Sequence, residues 1–475
     1  VKVSTQRGLS GAALAVVYVC VCTAAVAVAL LLGLLTLSLA RALTRTTGLA
    51  ATAMLLAQFV TSGRFEAVSA RIGLDRTMGF HRLAAIGLLA MLALHILSLL
   101  LRGPSDLTTA LGRLLQYAAA PSMRSGGIAT LLLLVLTLWA RFGRSRFTRY
   151  ELWRGIHGLG AMLAAALALH HAWSVGYAVH APALKLWLGL LLAVAAAAIL
   201  IVYVLRPLRA YRTGATVAFV HRASHDIIEL GIKLPDATPF SFSAGQFAWL
   251  AFGGRHTVTD NPFSFASAPR ELPLLRFLVR EVGDRTQTFA ALEPGTSVAI
   301  DGPHGSLVLR GHDGPVLLIA GGIGIAPILS LWRDLLAGAP RHPVRLLAAA
   351  RDPAGLVARA EIAAAQGDVR AIFLAEQGDA PGTERGTLAA SHLARLLDRL
   401  DPAAVRVFLC GPAAMMDAAV DLLLAAGIAP ANIVVERFDY DAAKDRLCRA
   451  ERRRQAAAIA AVFAVTVAAA ALAAL

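Results

Sequence analysis

Four histidines interrupt apolar stretches of this 475-residue chain as two equally spaced pairs, His81 with His95 and His157 with His171. A fourteen-residue separation turns an α-helix by about 1400°, roughly 40° short of four full turns, so each pair shares one helix face. Along the axis the members of a pair stand roughly 21 Å apart, about two-thirds of a hydrocarbon core. Two such helices side by side present facing imidazoles at two depths, which suits two bis-histidine haems stacked across a bilayer. Intramembrane histidines are costly and usually functional. A lone one is more simply an interhelical hydrogen bonder, but four at matched depth read as ligands to haem iron. His170 competes with His171. Thirteen residues would turn it ~140° from the face of His157, so the period favours His171 unless a π-bulge shifts the register. Arg82 and Arg154, near the inner pair, would either meet haem propionates or serve only as membrane-flanking charge.

The elements that must hold these residues are membrane helices. The chain is 57% hydrophobic and only 16% charged, outside the usual range for a soluble protein. Uncharged runs at roughly 11–40, 46–62, 79–101, 125–140, 153–175 and 181–205 read as six spans. The first is too long for a signal-peptide core and reads as a retained helix. With the N-terminus inside, inner segments carry Lys2, Arg7, Arg64, Arg71, Arg76, Arg82, Arg141, Arg144, Arg146, Arg149, Arg154, Arg206, Arg209 and Arg212. Outer segments carry only Arg41, Arg45, Arg102, Arg113, Arg124 and Lys185. The positive-inside rule therefore puts the chain beyond the sixth span in the cytoplasm, and His81 and His157 near the inner face. The net charge of +15 clusters beside the apolar runs, so lipid is the expected partner and nucleic acid is not. Cys20, Cys22, Cys410 and Cys448 are too scattered for a disulfide framework or a zinc site.

From 213 to 311 the chain reads as short alternating strands, a small antiparallel barrel. From 312 to 440, apolar strands at 316–319, 344–349, 371–374 and 405–409 alternate with helices, which indicates an open α/β sheet. Asn261-Pro262-Phe263-Ser264 follows a strand, where an aromatic beside a hydroxyl can stack on and hydrogen-bond a flavin ring. Gly283-Asp284-Arg285-Thr286 can start a helix whose amides, with the Thr286 hydroxyl, face a pyrophosphate. Gly302-Pro303-His304-Gly305 is a tight turn. Ala320-Gly321-Gly322-Ile323-Gly324-Ile325-Ala326-Pro327 sits between an apolar strand and a helix, the context a phosphate-cradling glycine turn requires. Cys410-Gly411-Pro412 ends a buried strand, where a small thiol can touch a nicotinamide or be a buried structural cysteine.

In combination these residues resemble the ferric reductase and NADPH oxidase superfamily, over about residues 10–440. The motifs that carry the resemblance are the two histidine pairs, NPFS, GDRT, GPHG, GGIGIAP, CGP and Glu436-Arg437-Phe438. The resemblance implies a multi-domain protein: a six-helix transmembrane haem domain (1–212), an antiparallel β-barrel FAD domain (213–311) and an α/β NAD(P)-binding domain (312–440). A basic linker and a seventh transmembrane helix (441–475) would come last. It implies two b-type haems on His81, His95, His157 and His171; FAD on Asn261, Pro262, Phe263, Ser264, Gly283 and Thr286; and NAD(P)H on Gly321, Gly322, Gly324, Pro327, Cys410, Gly411 and Pro412. Phe438 resembles the aromatic that covers the flavin until nicotinamide displaces it. Cys410, Ser264 and Phe438 would thus line the hydride path.

Three departures from the family pattern matter. Asn261 replaces a His or Arg, Ala326 replaces a Thr in the glycine turn, and Ala375-Glu376 replaces the Ser-Arg of many NADPH users. An acid there accepts a ribose hydroxyl and repels a 2′-phosphate, a tilt toward NADH that Arg351 opposes. The tail at 456–475 is long enough to span and comes after Arg452-Arg453-Arg454, although alanine is barely apolar; an interfacial helix is the alternative. The expected activity is electron transfer in a multi-pass protein of the plasma (inner) membrane, from cytoplasmic NAD(P)H to an extracytoplasmic ferric chelate or dioxygen. The rival is a haem-binding cytochrome with a degenerate flavin module, fed by a partner protein.

Overall fold

A helix apolar on every side has no face to offer water, and several here keep large aliphatic side chains outward. Leu131, Leu159 and Leu186 are 61%, 70% and 75% exposed, an arrangement that is stable only against lipid. The computed structural model describes residues 9–35, 38–62, 65, 68, 72–100, 107–143, 150–175, 181–253, 261–282, 286–309, 311–337, 340–437 and 446–475. Its main body divides into a unit of Leu205–Ala450 and a second unit of Gly8–Ile72, Arg76–Val204 and Glu451–Leu475.

The helical unit contains α1 (Gly11–Leu31), α2 (Leu39–Ala57), α3 (Leu74–Leu100), α4 (Leu107–Ala119), α5 (Arg124–Leu138), α6 (Tyr150–Val175) and α7 (Pro182–Leu200). The Ser10 hydroxyl caps α1 by accepting the Ala13 N–H at 3.1 Å. Leu152, Ile156, Leu159 and Leu163 form an exposed stripe along α6 at the spacing of one helix face. The core gathers Tyr18, Cys22, Met54, Phe80, Leu88 and Met91, with Tyr18 and Phe80 edge to face at 4.9 Å.

The first span is shorter than the apolar run suggests. It stops at Leu31, and Gly33, at φ +67°, turns the chain toward α2. Helix α2 then starts at Leu39 rather than near 46. With Arg41, Arg45 and its threonines it falls outside the six helices that are apolar and long enough to cross a membrane among the described residues. It is nevertheless well enclosed, buried continuously from Ala50 to Leu56 and packed on α1, α6 and α7. The hydroxyls of Thr44, Thr47 and Thr52 bond back to carbonyls four residues earlier, so their burial leaves no orphaned donor. Helix α4 lies outside every span read from the sequence: thirteen residues reach only ~20 Å, too short to span.

In the other unit, α8 (Arg206–Tyr211) leads into β1 (Ala215–Arg222), β2 (Ile227–Lys233), β3 (Phe247–Phe252), β4 (Asn261–Ser264), β5 (Leu274–Arg280) and β6 (Ser297–His304). These make one antiparallel sheet in the order β4-β3-β6-β1-β2-β5. Its edge strands come together where Phe265, just past β4, bridges Phe277 of β5. The aromatic and aliphatic core inside includes Phe265, Phe277, Leu230 and Ile300.

The second sheet is parallel throughout. Strands β7 (Val316–Gly321), β8 (Val344–Ala350), β9 (Val369–Ala375), β10 (Glu384–Arg385), β11 (Arg406–Cys410) and β12 (Ile433–Glu436) lie in the order β10-β9-β8-β7-β11-β12. Helices α9 (Ile325–Leu335), α10 (Arg359–Ala363), α11 (Ala390–Leu396) and α12 (Ala413–Ala425) connect the strands. Every residue of β7 is buried, as a strand covered on both faces requires. The strand order reverses between β7 and β11, the topological switch point where open α/β sheets bind ligands.

The two sheets are joined by a buried hydroxyl. Ser330 of α9 donates to the Ser267 carbonyl at 2.6 Å and accepts the Gly245 N–H at 3.3 Å. Arg333 adds a bond to the Ala266 carbonyl and a bidentate pair with Glu361. The chain then ends in α13 (Arg446–Leu472), and its portion from Glu451 belongs to the helical unit. There Val462 and Ala470 are fully buried, Ile459 lies against Gly87 of α3, and Gln455 donates to the Arg76 carbonyl at 3.3 Å. Arg449–Leu472 is one of the six helices fit to span. Removing the Ser330 hydroxyl strands a buried amide and carbonyl, so Ser330→Ala should cost about 1–3 kcal/mol. A melt of the purified protein monitored by flavin fluorescence would detect this as a lower midpoint, and an unchanged midpoint would deny the joint.

Candidate functional site

Helices α3 and α6 run as unbroken α-helix from Leu74 to Leu100 and from Tyr150 to Val175. No π-turn shifts either register, so His81 stays in phase with His95, and His157 with His171. His81 and His157 lie close enough to interact electrostatically. Trp153 stacks on His157 at 5.2 Å, with 19° between the ring planes. One turn from His157, Arg154 is buried with its guanidinium 5.4 Å from the Tyr203 ring, whereas Arg82 is exposed.

At the other depth, His95 Nδ1 is 2.9 Å from the Thr44 carbonyl of α2. A carbonyl only accepts, so Nδ1 carries the proton and Nε2 the lone pair. His171 sits with its ring against Gly126 of α5. His170 is on the exposed face, bonded to Ser125 at 3.1 Å and Ser174 at 3.4 Å.

The residues fit a haem. His95, with its Nδ1 proton on the Thr44 carbonyl, has the Nε2 lone pair an iron requires, and His81 lies within electrostatic reach of His157. The His81 and His171 rings also approach the backbones of Gln58 and Ser122, contacts that can orient a ligand from behind. No group of three or more His, Cys, Asp or Glu gathers into a direct metal site among the described residues. A haem does not need one, because its porphyrin supplies four of the six positions on iron.

In the soluble unit the motifs converge at the sheet ends. Asn261-Pro262-Phe263-Ser264 is β4 itself, with Ser264 opposite Phe247. Ser264 is buried, and its Oγ has no partner among the described residues. Instead of starting a longer helix, Thr286 opens a six-residue 3₁₀ segment, and its hydroxyl accepts the Val282 N–H at 3.0 Å. Phe289 of that segment packs on Phe263 at 5.7 Å, which brings the two expected flavin motifs together. Gly283 and Phe438 lie outside the described residues.

The nucleotide motifs meet at the switch point. Gly321 ends β7, Gly322–Gly324 forms one 3₁₀ turn, and α9 comes next with Ala326 and Pro327 buried in its first turn. The glycines serve different purposes. A Cβ on Gly321 would strike Met415 and Pro412, and one on Gly324 would strike the Cys410 carbonyl. Gly411 lies against Gly321, where a Cβ would be 3.0 Å from its Cα. These glycines therefore let the turn pack on Cys410-Gly411-Pro412. Gly322 differs: it takes φ +53° with nothing within 4 Å of its Cβ position, leaving backbone open to a phosphate at the N-terminus of α9.

Cys410 is buried and pairs in register with Glu436 of β12. Burial, and next the Glu436 carboxylate, push its thiol well above the ordinary value, so it stays protonated and uncharged at neutral pH. Gly302-Pro303-His304 is the end of strand β6 rather than the tight turn expected, because His304 still pairs with Phe247 of β3. Gly305, at φ +104°, comes next and lies against Glu436, 3.0 Å from Oε1 to its Cβ position. Spacing along the chain finds the histidines but misses Gly48, Gly126 and Thr44; the only sequence signal for the first two is glycine inside an apolar helical pattern.

Two family models match parts of the chain, one in each unit. Residues 47–168 match the ferric reductase like transmembrane component, and residues 318–421 match the oxidoreductase NAD-binding domain. The reductase component of a naphthalene 1,2-dioxygenase system from Pseudomonas putida is 32% identical over 230 residues, 47% of this chain and 68% of that protein. The reductase component of propane 2-monooxygenase from Mycolicibacterium smegmatis is 34% identical over 229 residues, 46% of this chain and 64% of that one. Among solved structures, a cytochrome P450 reductase from Amycolatopsis has a TM-score of 0.43 at 29% identity, covering 47% of this chain and 69% of its own. The FAD/NAD-binding domain of a nitric oxide dioxygenase from Vibrio cholerae has 0.42 at 21%, covering 48% and 99%.

Fold and site thus define a multi-pass membrane flavoprotein, a transmembrane NAD(P)H oxidoreductase with an FAD- and nucleotide-binding module. The chain belongs to the ferric reductase and NADPH oxidase superfamily. Because Gly324 has no room for a methyl group, Gly324→Ala should weaken NAD(P)H binding at least ~10-fold, about 1.4 kcal/mol, with FAD retained. The KM for NAD(P)H with ferricyanide as acceptor measures this, and an unchanged KM would contradict the assignment.

Proposed function

We propose that this protein carries electrons from cytoplasmic NAD(P)H across the membrane to an extracytoplasmic acceptor, a ferric iron chelate or dioxygen. The observation that carries the reading is the histidine set: two pairs in register on unbroken helices, half-buried, with His81 within electrostatic reach of His157 and the His95 Nδ1 proton on the Thr44 carbonyl so that Nε2 has the lone pair. When bound, FAD would turn a hydride into single electrons, and two b-type haems would give those electrons a path through the bilayer. His81 and His157 would hold the inner haem and His95 and His171 the outer. The excess of Lys and Arg on the His81 side supports the inward direction of the soluble module.

The remaining roles belong to the soluble module. Ser264 would hydrogen-bond the flavin, and Phe263 would support its ring. Gly322 and the first turn of α9 would receive the pyrophosphate. Cys410, held protonated, would offer nicotinamide an uncharged and polarisable wall. With His81, His95, His157 and His171 all given to the haems, no further protein or acceptor group would be needed on iron, and the acceptor would take its electron without binding the metal. The open backbone at Gly322 and the unpartnered Ser264 hydroxyl favour a working module over a degenerate one. One relative serves as the ferredoxin–NAD(P)+ reductase component of a dioxygenase system, which agrees with electron entry from a nicotinamide.

Purified protein should bleach its flavin band and reduce both haems with NAD(P)H alone. Haems that stay oxidised in FAD-replete protein would defeat the self-contained reading in favour of a partner-fed cytochrome, and His95→Ala with full haem content would defeat the ligand assignment. Rates with ferric citrate and with oxygen, the latter read as dismutase-sensitive superoxide, would choose the acceptor. Glu376 is exposed at the carboxyl end of β9, beside Arg351 after β8; the Glu376 and Gln377 amides donate to the Ala350 and Arg351 carbonyls. Its charge would repel a 2′-phosphate, so NADH is the expected donor. Glu376→Ser should shift the NADPH-to-NADH ratio of kcat/KM upward by ~10-fold; a wild type that prefers NADPH would refute the assignment.

A further inference from the structure

We infer that Gly48 on α2 and Gly126 on α5 are seats for the outer histidine pair, positioning residues that fix how His95 and His171 present their rings to iron. This rests on the proposed haem-ligand set. A Cβ built on Gly48 would lie 3.0 Å from His95 Cε1 and 3.1 Å from Nδ1. One built on Gly126 would lie 2.8 Å from His171 Cγ and Nδ1, and 2.9 Å from Cε1. Each imidazole thus occupies the space that a side chain on the neighbouring helix would fill. The inner histidines have no such seat among the described residues. Gly79 and Gly155 have nothing within 4 Å of a Cβ, Gly158 faces Tyr203, and Gly160 faces Leu136.

Glycine inside a helix lowers its stability relative to alanine, so its use where a ring must approach a backbone calls for a reason. The comparison inside α5 is direct: Gly126 touches His171, whereas the adjacent Gly127 has nothing within 4 Å. On α2 the seat also holds a proton. The Thr44 carbonyl accepts from His95 Nδ1, and the Thr47 hydroxyl lies 3.4 Å from the same nitrogen. Ser98, one turn beyond His95, donates to the Thr44 hydroxyl at 2.9 Å and ties α3 to this turn of α2. Such contacts behind a ligand fix its tautomer and ring plane, and through them the electronic state of the metal. The same geometry assigns His171 rather than His170, since only His171 has a seat.

The test uses the full chain purified with its haems. Gly48→Ala and Gly126→Ala are compared with Gly127→Ala by haem-to-protein ratio, by the low-spin ferric EPR spectrum and by redox titration. The expected result is that each seat variant shifts one of two low-spin signals together with its midpoint potential, while Gly127→Ala matches the wild type. Two haems in the wild type with unshifted signals in both seat variants would overturn this inference alone. A wild type without haem would overturn the ligand reading, and this inference with it. If Gly126→Ala does not fold, shown by lost FAD and lost ferricyanide turnover, the same change is made in a His171→Ala background. Recovery there supports the seat, because no ring remains to collide; persistent misfolding refutes it.

Discussion

An imidazole nitrogen enclosed in a hydrocarbon-spanning bundle must find a partner, because no water is there to take its place. The helical unit is organised by that requirement. Two helices carry the rings at matched intervals, and α2, polar yet well enclosed, offers His95 a carbonyl from inside the bundle. Threonines make that helix polar without making it costly, since their hydroxyls close on their own backbone. The outward surface of the unit is left to leucines such as Leu159 and Leu186, which need nothing but lipid.

The soluble unit depends on the opposite requirement, the close approach of one backbone to another. Its nucleotide site forms because the turn after β7 and the turn after β11 touch at glycine. A methyl group on Gly321, Gly324 or Gly411 would push them apart, and only Gly322 keeps its backbone outward. The flavin-side sheet joins through Gly245, Ser330 and Gly305, again where backbone meets backbone or a single buried hydroxyl bridges two main-chain groups. Cys410 and Glu436 face each other at the ends of adjacent parallel strands, and Ser264 lies opposite Phe247 in the other sheet.

Much of this was legible in the chain. Periodicity locates α3 and α6 and favours His171 over His170, because α-helical geometry is regular and no π-turn intervenes. The glycine turn is legible because a strand, a glycine run and a helix are contiguous there. Other features are not. Helix α2 hides its extent, since Arg41, Arg45 and the threonines look like a loop until the surrounding helices supply the burial and their own backbone the hydrogen bonds. The shorter α4 lacks the length that distinguishes a span. The Thr286 segment becomes a 3₁₀ turn, decided by a hydroxyl-to-amide bond across a loop.

The sequence by itself determined the class of the protein: a ferric-reductase-like set of membrane helices, then a flavin and nucleotide module. Those properties rest on local spacing and composition, which are one-dimensional. Only the tertiary structure decided which atoms serve each residue. It showed that Gly321 and Gly324 make room for the chain itself while Gly322 faces outward, and that Glu436 lies beside Cys410 and Gly305. It also showed that α2 and α5 carry glycines where α3 and α6 carry histidines. Such contacts join residues tens to more than a hundred positions apart, and their existence depends on packing distances of a few tenths of an ångström that no spacing along the chain encodes.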